Sequence, residues 1–168
     1  MVAMPSSRTA TVTLPTDQQI LITREFDAPK HLVFKAWTTP ELVKQWWSGQ
    51  RGTVTTAEID LRVGGMWRYV IATDGGFDVA FHGEYREIVP NERIVTTEVF
   101  EMPDAEALPK EDEPLNTVTF TELDGRTVLT LLVDTTSKEL RDLIVNSGME
   151  AGMQEQMDCL EQIAISLR

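Results

Sequence analysis

From Gln18 to Asp27 apolar and polar residues alternate, with Ile20, Ile22 and Phe26 in one phase and Thr23 and Glu25 in the other, which predicts a strand buried on one face. The period changes at Asp27-Ala28-Pro29. There a capping carboxylate and a proline suited to a first turn precede Val33, Phe34, Ala36 and Trp37 at helical spacing, so a short helix is expected. Thr39-Pro40-Glu41 repeats the start signal, and Leu42, Val43, Trp46 and Trp47 make the apolar stripe of a second short helix that Gly49 can end. Between Thr53 and Asp134 the chain becomes a run of threonine-, valine- and aromatic-rich segments into which six strands fit. Its turns are Val63-Gly64-Gly65, Asp74-Gly75-Gly76, Pro90-Asn91-Glu92 and Asp124-Gly125, the last suited to a two-residue type I′ hairpin. From Glu101 to Pro114, three prolines lie among six acidic residues and no strand pattern survives, so a long mobile loop is expected.

Two spacings near the end of the chain, Thr136 with Glu139 and Ser147 with Glu150, read as capping boxes, each predicting a helix start. After the second, Met149, Met153, Met157, Leu160, Ala164 and Leu167 recur at steps of three or four, giving a helix of ~20 residues and ~30 Å with one apolar face. Residues 1–17 show no sustained period and are read as a flexible arm able to add a strand edge; residues 18–168 are read as one domain. The expected architecture is α+β: an antiparallel sheet of about seven strands around the long C-terminal helix, with two short helices between strands 1 and 2.

Composition narrows the class. Hydrophobic residues at 42% and charged residues at 25% suit a globular chain, and no apolar run reaches the ~20 residues of a membrane span. The first eight residues contain no apolar signal-peptide core, and Cys159 is the sole cysteine, so a cytoplasmic location without an internal disulfide is expected. A net charge of -12 repels phosphate backbones and anionic lipid surfaces, which argues against nucleic acid and membrane as partners.

Several segments carry a resemblance. Pro29, Val33-Phe34, Ala36-Trp37-Thr38, Pro40-Glu41 and Trp46-Trp47 come first, followed by Asp60-Leu61-Arg62-Val63-Gly64-Gly65-Met66-Trp67-Arg68. Next are Gly83-Glu84-Tyr85-Arg86-Glu87-Ile88-Val89-Pro90-Asn91-Glu92-Arg93 and Ser147-Gly148-Met149-Glu150-Ala151-Gly152. In this order they resemble the START-related helix-grip superfamily called SRPBCC, and within it the branch named after the C-terminal domain of the activator of the heat-shock-protein-90 ATPase. The resemblance spans Leu21 to Leu167 and implies a sheet wrapped around the last helix, with the two short helices closing one end of a cavity.

The candidate chemistry is mainly apolar. Trp46, Trp67, Tyr69, Phe81, Phe120, Met149 and Met153 are the candidate walls of a ligand pocket, although residues at such spacing equally describe plain core. Glu58, Asp60, Arg62 and Arg68 are the candidate polar rim, or else a surface ion-pair network. His82 shares its strand phase with Glu84 and Arg86 and is expected on the solvent side, and His31 is expected to be exposed in a first helical turn. Neither histidine pairs with a nucleophile or another ligand at metal spacing, so no catalytic residue, metal or cofactor is assigned. Cys159 is expected to pack rather than react.

Three functions fit these features. The first is a module that binds a hydrophobic or lipid-like small molecule, as a monomer or homodimer. The second is a co-chaperone-like interaction domain that offers the acidic loop to a protein partner. The third is a cyclase-like enzyme using the same pocket, disfavoured because no acid–base pair stands out.

Overall fold

The computed structural model describes residues 9–101 and 109–168, so residues 1–8 of the arm and 102–108 of the acidic loop lie outside the description. The strands are β1 (Thr11–Thr13), β2 (Gln19–Phe26), β3 (Gly52–Ile59), β4 (Met66–Thr73), β5 (Asp78–Val89), β6 (Arg93–Thr97), β7 (Val99–Glu101), β8 (Leu115–Leu123) and β9 (Arg126–Asp134). The helices are α1 (Lys30–Thr38), α2 (Pro40–Trp46), α3 (Lys138–Asn146) and α4 (Met149–Ser166). All strand pairs are antiparallel, in the order β1-β2-β9-β8-β6-β5-β4-β3, with β7 joined to β5. The α+β class and the long terminal helix agree with the sequence. Among the described residues nine strands stand where about seven were expected, because Thr11–Thr13 pairs with β2 and because the segment after the Pro90-Asn91-Glu92 turn breaks at Glu98 into β6 and β7.

Alternation in β2 sends Ile20, Ile22, Arg24 and Phe26 to the buried face, where the core also holds Met153, Met157, Leu160 and Ala164 of α4. Arg24 is the exception in this apolar company. Its Nη2 donates to Glu161 Oε1 at 3.0 Å and its Nη1 to Asp158 Oδ1 at 2.9 Å, while the backbone N–H of Asp27 donates to Glu161 Oε2 at 3.0 Å. One buried cation thus ties the middle of α4 to β2. The helices α1 and α2 complete the wall, and Trp46 locks them together by donating from Nε1 to the Ala36 carbonyl at 2.9 Å.

The helix ends depart from the sequence reading. Asp27 does not cap α1, whose N-cap position is Pro29, and Thr39 at the start of α2 donates backward to the Lys35 carbonyl instead of accepting from the turn ahead. At α3 the cap is Ser137, whose Oγ accepts from Leu140 N, one residue beyond the expected Thr136. Ser147 donates to the Ile144 carbonyl at the end of α3, and Gly148, at φ +84°, begins α4. Capping-box spacing misplaced both starts because a hydroxyl so near a helix end can serve either neighbour. The hairpin at Asp124-Gly125 follows expectation, with both residues at positive φ between the paired Leu123 and Arg126.

The Arg24 clamp gives a direct test. Glu161→Ala leaves a buried guanidinium short of its deepest partner and is expected to cost about 3 kcal/mol. The double replacement Arg24→Met with Glu161→Leu should cost far less. Urea denaturation of both variants checks this, and equal losses would contradict the clamp.

Candidate functional site

Side-chain direction in β4 sets the site. Trp67, Tyr69 and Ile71 are buried while Met66 and Arg68 are exposed, so the strand aims its rings into the core, toward Trp47, and its arginine outward. Register carries the ring face across the sheet, with Tyr69 opposite Phe81 and Phe81 opposite Phe100 of β7. Trp67 lies opposite Gly83. A Cβ on Gly83 would fall 1.8 Å from the Thr97 carbonyl oxygen and 2.7 Å from Trp67 Nε1, so only glycine lets β5 run against the break between β6 and β7.

Trp47, in the connection after α2, lies over these rings. Its centroid is 4.8 Å from Tyr69, 5.6 Å from Phe81, 5.9 Å from Trp67 and 5.5 Å from Trp46. Phe81 in turn meets Phe100 at 4.9 Å, and Phe100 is 48% exposed. A continuous file of rings therefore leads from buried Trp46 to the surface.

A polar floor adjoins the file. Glu98 occupies the break between β6 and β7, in phase with buried Ile94 and Thr96, and its backbone N–H donates to the Pro114 carbonyl at 3.1 Å. Tyr85 lies opposite Thr96, and Thr96 opposite Asn116, which brings β5, β6 and β8 together on this side. Glu98 is half-buried as a residue, yet burial of its carboxyl raises its pKa, an effect that a hydrogen bond from the Asn116 amide partly offsets. Burial, then the neighbouring Tyr85 and Glu98, raises the Tyr69 phenol; burial and Asp60 raise Tyr85. Two polar atoms here, Trp67 Nε1 and Asn116 Oδ1, are buried without a hydrogen-bond partner. An unmade buried hydrogen bond costs about 1–3 kcal/mol, so such atoms need a reason.

The candidate rings lie along one chain of contacts, linked by Trp47 and Trp37. Trp67, Tyr69 and Phe81 meet in the cluster closed by Trp47. Trp46 and Phe120 are fully buried deeper in the core, Phe120 against Phe34 and Trp37, while Met153 is buried in the core and Met149 packs half-buried at its edge.

Of the expected polar rim, Glu58 and Arg68 line a groove of about 330 Å³ with Met66, Trp67, His82 and Glu101, while Asp60 and Arg62 lie in the turn beyond it. Glu58 lies opposite Arg68, and Arg68 opposite His82, in a row on the outer face of the sheet. Arg68 and His82 converge on Glu101, from 3.3 Å and 2.6 Å, and the pull of Arg68, then His82, lowers the Glu101 pKa. Asp60 and Arg62 pair with each other at 2.9 Å in the exposed turn between β3 and β4. Strand alternation puts Arg68 on that outer face: it sits between two inward rings and must point the other way. His82 accordingly faces outward but is half-buried by its partners. The thiol of Cys159 is pushed up by burial and by Asp158 and Glu155, which leaves it a poor nucleophile. Of the acidic loop expected from Glu101 to Pro114, half, residues 102–108, lies outside the description, while Glu101 ends β7 and Lys110–Asp112 forms a single 3-10 turn.

The residues missed in the sequence are Trp47 as a ring cover, Glu98, Asn116 and Tyr85. Glu98 and Asn116 carried a legible signal, since each is polar at a position in phase with apolar neighbours: Ile94 for the first, Val118 and Phe120 for the second.

Among the described residues no helix is long and apolar enough to cross a membrane, and no group of three or more His, Cys, Asp or Glu side chains is arranged to hold a metal ion. The model of the family described as Activator of Hsp90 ATPase homolog 1-like protein matches residues 27–164. No curated protein matches the chain. Among solved structures, a protein from Rhodobacter sphaeroides is 22% identical, with a TM-score of 0.84 and coverage of 94% of this chain and 99% of that one. Protein Ms6760 from Mycobacterium smegmatis, 22% identical, reaches 0.82 over 95% and 99% of the two chains. A Staphylococcus epidermidis protein, 25% identical, reaches 0.78 over 94% and 95%.

Glu98 gives a pH signature. A carboxyl whose folded pKa is raised contributes its stability fully below the unfolded value, ordinarily 4.5, and loses it as pH rises through the folded value. Glu98→Gln abolishes that loss. Its urea midpoint relative to the unmodified protein should therefore rise between pH 4 and pH 8; a constant difference would show that Glu98 carries no burial penalty.

Proposed function

The chain belongs to the family of Activator of Hsp90 ATPase homolog 1-like proteins, and within it we propose a binding module for a small hydrophobic molecule held on the helix-facing side of the sheet. The observation that carries this reading is the file of rings that begins at the surface with Phe100, passes Phe81 and Trp47, and adjoins a floor with unpartnered Trp67 Nε1 and Asn116 Oδ1. Rings of this kind offer flat apolar contact, and the polar atoms offer orientation.

Trp47 is the element that must yield. It is half-buried, it follows the end of α2, and its backbone carbonyl accepts from Gln156 Nε2 of α4, so its ring can turn while its main chain stays anchored. A ligand that takes its place against Tyr69 and Phe81 exchanges one aromatic contact for another. Burial of about 200 Å² of apolar ligand surface is worth about 5 kcal/mol before the cost of association, which leaves binding weak unless the polar floor contributes.

Uptake of N-phenyl-1-naphthylamine, an uncharged fluorescent probe, tests the site. Its emission should rise on binding while tryptophan emission falls, because Trp47 and Trp67 border the site. The double variant Phe81→Ala with Phe100→Ala should bind about tenfold more weakly, a loss of about 1.4 kcal/mol. Equal affinity in both proteins, or no uptake by either, would overturn the reading.

A further inference from the structure

We infer that the floor formed by Glu98, Asn116 and Trp67 selects uncharged ligands and rejects carboxylates, so that the module takes neutral amide-, carbonyl- or hydroxyl-bearing compounds rather than free fatty or aromatic acids. This rests on the binding reading above and sharpens it.

The chemistry of the floor favours a group that both accepts and donates. Trp67 Nε1 is a donor only, and Asn116 Oδ1 an acceptor only; both are buried and unpartnered, on residues 5% and 7% exposed. Trp67 Nε1 lies 2.7 Å from where a Cβ on Gly83 would stand, beside the Thr97 carbonyl that precedes Glu98, and the Asn116 amide meets Glu98 itself, so both atoms border Glu98. A neutral group that accepts and donates can meet either of them. A carboxylate can accept from Trp67 but offers nothing to Asn116.

Charge points the same way. The groups against Glu98 are the amide of Asn116 from β8 and the phenol of Tyr69 from β4, which in turn neighbours Tyr85 of β5, none of them a cation. Among the described residues, the buried cations are engaged elsewhere. Arg24 is held by Asp158 and Glu161, and Arg141 by Asp142 and the Thr16 carbonyl. A ligand carboxylate at the floor would thus meet a second carboxyl without a counter-charge, and one of the two must take up a proton to stay. That uptake weakens binding more as pH rises. An amide of the same shape needs no proton.

The isosteric pair 2-naphthamide and 2-naphthoate provides the measurement, with tryptophan quenching as the readout. At pH 8 the amide should bind at least ten times more tightly than the carboxylate. The ratio should narrow at pH 5 in the unmodified protein, and in Glu98→Gln it should be at least threefold smaller at pH 8 and insensitive to pH. Equal affinity at pH 8, or a ratio unchanged by Glu98→Gln, would overturn this inference while leaving the binding reading intact. Binding of neither compound would overturn both. Should Glu98→Gln fail to fold, the pH dependence of the ratio in the unmodified protein decides alone, since a pH-independent ratio contradicts a shared proton.

Discussion

Arg24 places a positive charge on the buried face of β2, and the position of α4 follows from how that charge is met. Glu161 and Asp158 supply its partners, one deep and one at the surface, and Glu161 also receives the backbone N–H of Asp27 where the chain leaves β2 for α1. An apolar stripe alone lets a helix slide or rotate by a residue at little cost. A buried ion pair does not, because any shift leaves a desolvated charge unmet. With the register of α4 fixed, Met153, Met157, Leu160 and Ala164 all fall on the core, and Gln156 reaches the Trp47 carbonyl at 2.5 Å. The clamp on β2 thus also sets the anchor of the ring that covers the site near the other edge of the sheet.

At that edge a second constraint operates through backbone alone. Gly83 lets β5 close on the Thr97 carbonyl, and the strand that follows breaks at Glu98. The break brings an acidic side chain against Tyr69 and Asn116 on the buried side of the sheet, while β7 carries Phe100 to the exposed end of the ring file. Fold and site are therefore coupled. The irregularity that costs the sheet its regular ladder also creates the polar floor, as bends in strands often do beside functional groups.

The sequence displayed the fold well because its signals are periodic and repeated. Alternation marked β2, two proline starts marked α1 and α2, and an Asp-Gly pair marked the last hairpin. The site was harder to see for a specific reason. Arg24 stands in phase with Ile20, Ile22 and Phe26, Glu98 with Ile94, and Asn116 with Val118 and Phe120, so each is a polar residue at a buried position. Such residues are informative only when their partners are known, and the partners lie far along the chain: Glu161 for Arg24, Asn116 for Glu98. Attention to rim charges instead singled out Glu58 and Arg68, which alternation places on the outer face with His82 and Glu101. The helix caps were misplaced by a residue because short-range hydroxyl signals do not distinguish the end of α3 from the start of α4.

The indole N–H resonances test the proposed site most directly. Trp46 Nε1 already donates to the Ala36 carbonyl, whereas Trp67 Nε1 is buried without a partner. In a proton–nitrogen correlation spectrum titrated with 2-naphthamide, the Trp67 indole signal is expected to move downfield to a saturating limit as it gains an acceptor, with the Trp46 signal unmoved. A ligand that shifts residues of the outer face while both indole signals stay fixed would contradict binding on the helix-facing side.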